Sequence, residues 1–109
     1  MQLPIDIKTV KGFLADDEAK ALFNLASQCR GPILEVGSYC GKSTIYLGTA
    51  AKQNGNTVFA IDHHRGSEEH QPGEEYHDAE LFDKDEALFD SFKNFRANMR
   101  KANLEDTVI

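Results

Sequence analysis

Apolar residues recur along the first third of the chain with the spacing of a helix and then of a strand. Behind the acidic pair Asp16 and Asp17, the segment DDEAKALFNLASQC predicts a helix that begins at one of these two residues. The apolar residues expected on its buried face are Leu22, Phe23, Leu25, Ala26 and Cys29. Gly31 and Pro32 end this helix, and the apolar run ILEV, residues 33–36, predicts a short buried strand.

The next part of the chain repeats the pattern, as a second helix and a second strand. After a turn that contains two glycines, KSTIYLGTAAKQ predicts a helix that packs Ile45, Leu47 and either Ala50 or Ala51 inward. The β-forming run TVFAI then predicts a strand that ends at Asp62. A helix therefore connects two consecutive strands.

The last part of the chain begins with a long polar stretch. Residues 63–85 are rich in acidic side chains with little periodicity, and we expect a loop there. Residues 86–102 predict a helix. The apolar stripe of this helix, expected to pack into the core, consists of Leu88, Phe89, Phe92, Phe95 and Met99. The final TVI, residues 107–109, begins a third strand.

This order of elements predicts the fold class. Strand, tight turn, helix and strand indicate an α/β fold, namely a Rossmann-like parallel sheet with flanking helices. Such a sheet is covered on both faces and normally has more strands than this chain offers. Because the sequence stops within its third apolar run, we expect residues 1–109 to form a single domain that is the N-terminal portion of a larger one.

Composition narrows the range of partners. The hydrophobic and charged fractions, 40% and 28%, are typical of a soluble globular domain. A net charge of -6 argues against general attraction to nucleic acid or to anionic membranes. The sequence has neither a signal-peptide pattern nor an apolar run that could span a bilayer, so we expect a cytoplasmic location. Cys29 and Cys40 fit no disulfide framework or metal-binding spacing.

The turn between the first strand and the second helix carries the candidate chemistry. Gly37 and Gly41 permit backbone conformations that a side chain disfavours, and they let the main chain approach a ligand closely. The following helix directs free N–H groups and its positive dipole end toward the turn, which favours an anionic group. Ser38, Ser43 and Thr44 can add hydroxyl hydrogen bonds. Sites for nucleotide-type cofactors share these features.

Three cofactor classes compete for this turn. A phosphate-binding P-loop needs four residues between its first glycine and the Gly-Lys pair, but only the three residues 38–40 intervene here. An NAD-binding fingerprint, Gly-x-Gly-x-x-Gly, needs a second glycine where Tyr39 stands. S-adenosylmethionine has no pyrophosphate and does not require that glycine. The spacing therefore disfavours the first two classes.

A carboxylate at the end of the second strand favours the third class. Asp62 follows TVFAI about 20 residues after the turn, which is the interval expected for a ribose-binding acid in a βαβ unit. Its two oxygens can accept hydrogen bonds from both ribose hydroxyls. We therefore expect S-adenosylmethionine as the cofactor, with an NAD-binding Rossmann protein as an alternative.

The segments ILEVGSYCGKSTIYLGTAA and TVFAIDHHRG resemble the first two motifs of class I S-adenosylmethionine-dependent methyltransferases. The resemblance implies that Glu35 lies near the amino group of the cofactor and that Ser43 caps the second helix. It also implies that Asp62 binds the ribose and that His63 lies beside the adenine or the ribose. The cofactor-binding residues implied in this way are Glu35, Gly37, Ser38, Tyr39, Gly41, Ser43, Asp62 and His63.

The chain departs from this family in two respects. Tyr39 stands where many members have glycine. Members normally have about seven strands in one domain, so the resemblance implies a truncated methyltransferase domain that carries the cofactor-binding half. It implies methyl transfer to a small-molecule acceptor whose identity the sequence does not reveal, and we assign no catalytic residue.

The segment DHHRGSEEHQPGEEYHDAE, residues 62–80, offers a rival interpretation. Its four histidines and its acidic residues are ligand types that zinc and other divalent ions use. Imidazoles spread along a charged loop are more often solvated, however, and we assign no metal site.

A function of a different class also stays open. The chain would then be a non-catalytic module that binds adenosine-type ligands or associates with itself. Self-association would use an exposed edge of the sheet and would give a homo-oligomer.

Overall fold

A computed structural model describes residues 1–66, 81–83 and 88–109 of the chain. In these ranges the chain forms a small α/β structure in which helices flank a parallel pair of strands, as expected for part of a Rossmann-like fold. The helices are a 3-10 helix at Ile7–Thr9, α1 at Asp16–Gln28, α2 at Lys42–Gln53 and α3 at Phe92–Lys101. The strands are β1 at Ile33–Val36, β2 at Val58–Ile61, β3 at Phe82–Asp83 and β4 at Leu88–Phe89.

The central sheet pairs β1 with β2 in parallel, which confirms the predicted strand-helix-strand order. The register runs from the pair Ile33 and Val58 to the pair Val36 and Ile61. Val108 forms a parallel bridge to Val58, so β2 lies between β1 and the C-terminal segment. The terminal TVI run therefore extends the sheet, as predicted.

Helix α1 packs against α2 through one of its faces. Its buried residues Ala19, Phe23 and Ala26 follow one another at helical spacing. Leu25 is exposed, contrary to the prediction, because two residues after Phe23 a side chain is turned about 200° around the helix axis. Cys29 is also exposed, since α1 ends at the residue before it.

Helix α2 is the central helix of the structure. All its residues over 44–51 are buried, including Ile45 and Leu47 as predicted and both of the alternatives Ala50 and Ala51. One side of the helix joins a core cluster with Phe23 of α1. Ile45 joins a second cluster with Phe95 and Met99 of α3. The start of α2, next to the glycine-containing turn, is therefore held between two packed layers.

The strand β1 is half-buried on one face and exposed on the other. Leu34 and Val36 are 63% and 75% exposed, and their register partners Phe59 and Ile61 are exposed as well. Side chains alternate between the two faces of a strand, and the described helices cover only the other face. The prediction of a fully buried strand is therefore wrong for this face.

Helix α3 begins later than predicted, at Phe92. The residues before it pair instead, with Leu88–Phe89 antiparallel to Phe82–Asp83. The Asp90 N–H donates to the Leu81 carbonyl at 2.7 Å, and the Asp90 carboxylate accepts the Phe92 N–H at 2.9 Å. The helical prediction is therefore wrong for Leu88–Phe89, and the loop prediction is wrong for Phe82–Asp83.

The apolar stripe of α3 is confirmed in part. Phe95 and Met99 are buried, whereas Phe92 is exposed and the Arg96 guanidinium lies over its ring at 5.8 Å from the centroid. Much of the predicted loop, at residues 67–80 and 84–87, lies outside the described residues. Among the helices that the structure describes, none has the length and apolar character needed to cross a membrane.

Candidate functional site

The turn after β1 contains several residues in the left-handed backbone region. The angle φ is 85° at Gly37, 53° at Tyr39 and 96° at Gly41. The Gly37 N–H donates to the Ile61 carbonyl at 2.8 Å, which fastens the turn to the end of β2. The Gly41 N–H donates to the Ser38 carbonyl at 2.9 Å and closes the turn. Glycine adopts this conformation freely, but Tyr39 needs contacts that hold it there.

One side of the turn packs directly against α3. A Cβ atom at Gly41 would lie 2.6 Å from Met99 Cε and 3.3 Å from the Phe95 ring. Asn98 of the same helix donates from Nδ2 to the Cys40 carbonyl at 2.8 Å. Position 41 therefore requires glycine for two reasons, its backbone angle and the closeness of α3.

The opposite side of the turn is open. A Cβ atom at Gly37 would meet no other atom within 4 Å. A cleft of about 250 Å³ lies here, between residues 12–14 and the turn residues 37–39, and Lys42 and Ser43 also line it. A ligand in this cleft can approach the main chain at Gly37 without obstruction from a side chain.

Ser38 brings an unpaired polar atom to this cleft. The residue is 2% exposed, and its Oγ atom has no hydrogen-bond partner in the described part of the chain. Leaving a buried hydroxyl unpaired is unfavourable, so a ligand that bonds to it gains stability. Lys42 and Ser43, the first residues of α2, line the same cleft, so the positive end of the helix dipole lies there, and the N-cap Gly41 makes no side-chain capping bond. This combination favours an anionic group such as a carboxylate.

Glu35 joins the end of β1 to the first turn of α2. Its carboxylate oxygens accept hydrogen bonds from the hydroxyls of Ser43 and Thr44. The prediction that Ser43 caps α2 is wrong, because the helix begins at Lys42 with Gly41 as its N-cap. The Ser43 hydroxyl is bonded to Glu35 instead. That Glu35 and Ser43 contact the cofactor stays a prediction.

Asp62 lies at the end of β2, beside the glycine-containing turn. Its Oδ2 atom accepts the Tyr39 N–H at 2.7 Å, and its Oδ1 atom accepts the His64 N–H at 2.9 Å. Partial burial acts to raise the pKa of Asp62, but these backbone bonds and the neighbouring histidines outweigh it and leave the pKa below its usual range. Each oxygen keeps a lone pair, so the ionised carboxylate can still accept two hydroxyl bonds.

The two histidines after Asp62 have different surroundings. His63 is exposed, and its Nδ1 atom accepts the Arg65 N–H at 2.9 Å. His64 is only 8% exposed, and its Nδ1 atom lies 2.9 Å from Ser91 Oγ. Burial lowers the pKa of His64, although nearby carboxylates act in the opposite direction.

The structure brings the predicted turn residues and Asp62 together at one end of the β1–β2 pair. Sequence analysis missed three neighbours of this site. Lys42 lines the cleft, and the Phe13 ring stacks on the Tyr39 ring with centroids 6.2 Å apart. His64 is bonded to Asp62 through its N–H. No local pattern marks Phe13, because its contact with Tyr39 arises only when distant segments meet. The bond from the His64 N–H to Asp62 spans only two residues, and an aspartate two positions earlier is a local signal for it.

Within the ranges that the structure describes, no group of three or more His, Cys, Asp or Glu side chains could hold a metal ion. Residues 67–80, which carry two of the four histidines, lie outside those ranges. The absence of a metal site therefore stays a prediction.

Comparison with protein families gives a match over most of the chain. Residues 34–108 fit a family model described as a methyltransferase domain. The match covers more than half of the chain and runs from β1 through the glycine-containing turn, α2 and β2 to the C-terminal bridge. The chain therefore belongs to the class I S-adenosylmethionine-dependent methyltransferase family.

Proposed function

We propose that the chain binds S-adenosylmethionine and supplies the cofactor-binding half of a methyltransferase that acts on a small-molecule acceptor. Family membership supports methyl transfer as the general activity. The observation that carries the cofactor assignment is the arrangement of the glycine-containing turn after β1. It borders an open cleft with an unpaired Ser38 hydroxyl, and its Tyr39 N–H is bonded to the Asp62 carboxylate. We propose that residues 1–109 form a single domain.

The proposal assigns the cleft beside Gly37 to the methionine end of the cofactor. A carboxylate there would accept a hydrogen bond from Ser38 Oγ and would lie near the N-terminus of α2, where the dipole favours negative charge. Lys42, which also lines this cleft, carries a positive charge. Gly37 leaves its main chain accessible, and Glu35 is the proposed neighbour of the amino group.

The proposal assigns Asp62 to the ribose. The two N–H groups that bond to it fix the orientation of its carboxylate and favour the ionised form. The remaining lone pairs match two adjacent hydroxyls. His63 is exposed next to this carboxylate, and we propose that its ring lies beside the adenine or the ribose.

S-adenosylmethionine supplies a sulfonium group whose positive charge makes its methyl group electrophilic. The residues described above would bind the cofactor and orient it, and orientation is a large part of the rate enhancement in a displacement of this kind. We assign no catalytic base. A base must lie within hydrogen-bond reach of the methyl acceptor, and the described residues do not define where that acceptor binds.

Calorimetric titration with S-adenosylhomocysteine, the product form of the cofactor, tests this proposal. We expect saturable binding by the wild-type chain and at least ~tenfold weaker binding by Asp62→Ala, which loses the bonds to both ribose hydroxyls. Asp106→Ala is the matched control, because Asp106 is an exposed carboxylate that pairs with Lys52 at the other end of α2. The control variant should bind like the wild type.

Two results of this titration would contradict the proposal. One is a folded wild-type chain that takes up no S-adenosylhomocysteine. The other is saturable binding of NAD with no binding of S-adenosylhomocysteine, which would favour the dinucleotide interpretation. Circular dichroism of each variant separates a loss of binding from a loss of fold.

The exposed sheet face favours a second candidate function, self-association. Leu34, Val36, Phe59 and Ile61 form an apolar surface on neighbouring strands. In the described part of the chain, β1 pairs only with β2, so its outer edge is also unpaired. A second copy of this chain offers the same apolar face and the same edge, which suits a two-fold contact.

Sedimentation at increasing protein concentration tests self-association. Val36→Lys should shift the equilibrium toward monomer, because the charge would be buried in the contact. Leu25→Lys is the matched control, since Leu25 is an equally apolar exposed residue on α1, away from the sheet face. A wild-type chain that stays monomeric at all concentrations would contradict this candidate.

A further inference from the structure

His64 lies where three parts of the structure meet: the end of β2, the glycine-containing turn and the start of α3. Its N–H donates to Asp62 Oδ1 at 2.9 Å. Its carbonyl accepts the Ser91 N–H at 3.0 Å, and its imidazole also hydrogen-bonds the backbone of Tyr39. The residue therefore bonds to every part of the site that orients Asp62.

The ring of His64 is fixed as firmly as its backbone. Nδ1 lies 2.9 Å from Ser91 Oγ, and Ser91 is only 1% exposed. The ring centroid lies 5.4 Å from that of Phe92 and 5.2 Å from that of Phe95. The backbone is left-handed, with φ at 62°, which is uncommon for a residue other than glycine. A conformation of this kind persists only when its surroundings hold it.

The position of Ser91 argues against a nucleophilic role for the His64–Ser91 pair. Ser91 is only 1% exposed and, unlike Ser38, does not line the cleft beside the turn. The pair instead ties the N-terminus of α3 to the residues that contact Asp62. Asp62 in turn bonds to the Tyr39 N–H at 2.7 Å, so the connection reaches the glycine-containing turn.

We propose that His64 is a positioning residue, which holds Asp62 and Tyr39 in the arrangement that binds the cofactor and couples that arrangement to the start of α3. That this arrangement binds a cofactor rests on the proposed function. The coupling itself is a property of the folded chain and can be measured without a ligand.

The neutral form of His64 suits this network. The Tyr39 N–H is bonded to Asp62, so the imidazole bonds to the Tyr39 carbonyl and donates to it. In this tautomer Nδ1 accepts the Ser91 hydroxyl hydrogen. A proton added at Nδ1 would reverse the bond, so that Ser91 Oγ accepts and its hydrogen must turn to another acceptor. The charged groups that face the ring are Asp62, Asp90 and His63. We expect protonation to disturb the network, although the two carboxylates and the bond to Tyr39 favour the charged ring.

Titrations with S-adenosylhomocysteine across about pH 5 to pH 7.5 test this inference. Wild-type affinity should fall at the acidic end, roughly tenfold. His64→Gln keeps a donor and an acceptor but does not titrate, so its affinity should vary little with pH. His64→Phe lacks both polar atoms and should bind ~tenfold more weakly than the wild type at every pH. If His64→Gln binds more tightly than His64→Phe, the polar atoms at position 64 position the site. If the two variants bind equally, the ring acts only by packing.

A ligand-free measurement accompanies these titrations. In ¹H–¹⁵N spectra the Tyr39 amide resonance should shift with the titration of the His64 ring, and His64→Gln should abolish this shift. Either of two results would overturn the inference. One is a Tyr39 amide resonance that does not shift when the His64 ring titrates, and the other is a His64→Gln variant whose binding has the wild-type pH dependence. If the amide follows the ring but S-adenosylhomocysteine does not bind at any pH, the proposed function fails and the coupling stands.

Discussion

The carboxylate of Asp62 accepts the backbone N–H of Tyr39 at 2.7 Å, which joins the end of β2 to the turn after β1. Tyr39 has φ at 53°, a left-handed conformation that a tyrosine rarely adopts without support. The same carboxylate is the proposed ribose acceptor, so one side chain both stabilises the turn and faces the ligand. A change at Asp62 should therefore affect folding and binding together.

Replacing Asp62 with asparagine separates charge from shape. Asparagine keeps one acceptor oxygen, but its NH₂ group must face the N–H of either Tyr39 or His64, which leaves a donor without a partner. We expect the free energy of unfolding to fall by about 1–3 kcal/mol and S-adenosylhomocysteine to bind at least ~tenfold more weakly. Urea unfolding and calorimetry measure the two effects.

Asp106→Asn is the control for the loss of charge, because Asp106 is exposed and distant from the turn. It should leave both quantities close to the wild-type values. An Asp62→Asn variant with wild-type stability would show that the two backbone bonds do not depend on the second carboxylate oxygen.

Gly41 and Gly55 form a matched pair for the packing of α3 on the turn. Both have positive φ, at 96° and 64°, so alanine is strained at either position. Gly55 is open, whereas a Cβ atom at Gly41 would meet Met99 Cε at 2.6 Å. We expect Gly55→Ala to lower the free energy of unfolding by about 1–2 kcal/mol. Gly41→Ala should add the cost of overpacking, a further ~1–3 kcal/mol.

If Gly41→Ala and Gly55→Ala lower the free energy of unfolding equally, α3 can move away from the turn at little cost in free energy. Thermal and urea unfolding of both variants decide the matter. The Gly41 variant should also lose S-adenosylhomocysteine affinity, since the turn would be displaced.

Gly37 tests the open side of the same turn. Its φ of 85° predicts a loss of stability for Gly37→Ala similar to that for Gly55→Ala, about 1–2 kcal/mol, because no neighbour opposes the added methyl group. The methyl group would, however, occupy the cleft where the main chain is proposed to meet the ligand. We expect calorimetry to show weaker binding of S-adenosylhomocysteine for Gly37→Ala and wild-type binding for Gly55→Ala. Unchanged binding by the Gly37 variant would place the ligand elsewhere.

Short-range signals in the sequence predicted much of this architecture correctly. The acidic pair at Asp16 and Asp17 marks the start of α1, and β2 ends next to Asp62 as predicted. Gly37 and Gly41 are both left-handed, as their place in a tight turn suggested. These features depend on the preferences of a few neighbouring residues, which a single sequence contains.

Features that depend on distant contacts could not be predicted in this way. The start of α3 is displaced because Leu88–Phe89 pairs with Phe82–Asp83, and periodicity alone does not show which partner a short apolar run will choose. Leu34 is exposed because the described helices cover only one face of β1. In the candidate site, too, the local features could be predicted and a long-range contact could not. The turn and Asp62 were predicted, but the contact of Phe13 with Tyr39 was not.

The stability of the chain should depend on pH through His64. Burial lowers the pKa of His64 in the folded state below the value of about 6.5 that it has when unfolded. Between these two pKa values the unfolded chain binds more protons than the folded chain, so stability rises with pH across that interval. The contribution is complete above about pH 6.5 and is lost as the pH falls through the folded pKa.

Urea unfolding at a series of pH values measures this contribution. His64→Gln removes the titrating group but keeps polar atoms, so the free energy of unfolding should change less between about pH 7 and about pH 5 than in the wild type. The depressed pKa of Asp62 acts at lower pH, below its ordinary value, and therefore outside this pH range. Parallel pH profiles for the wild type and His64→Gln would mean that His64 titrates in the folded chain as it does in the unfolded chain. The burial of the ring would then not favour its neutral form.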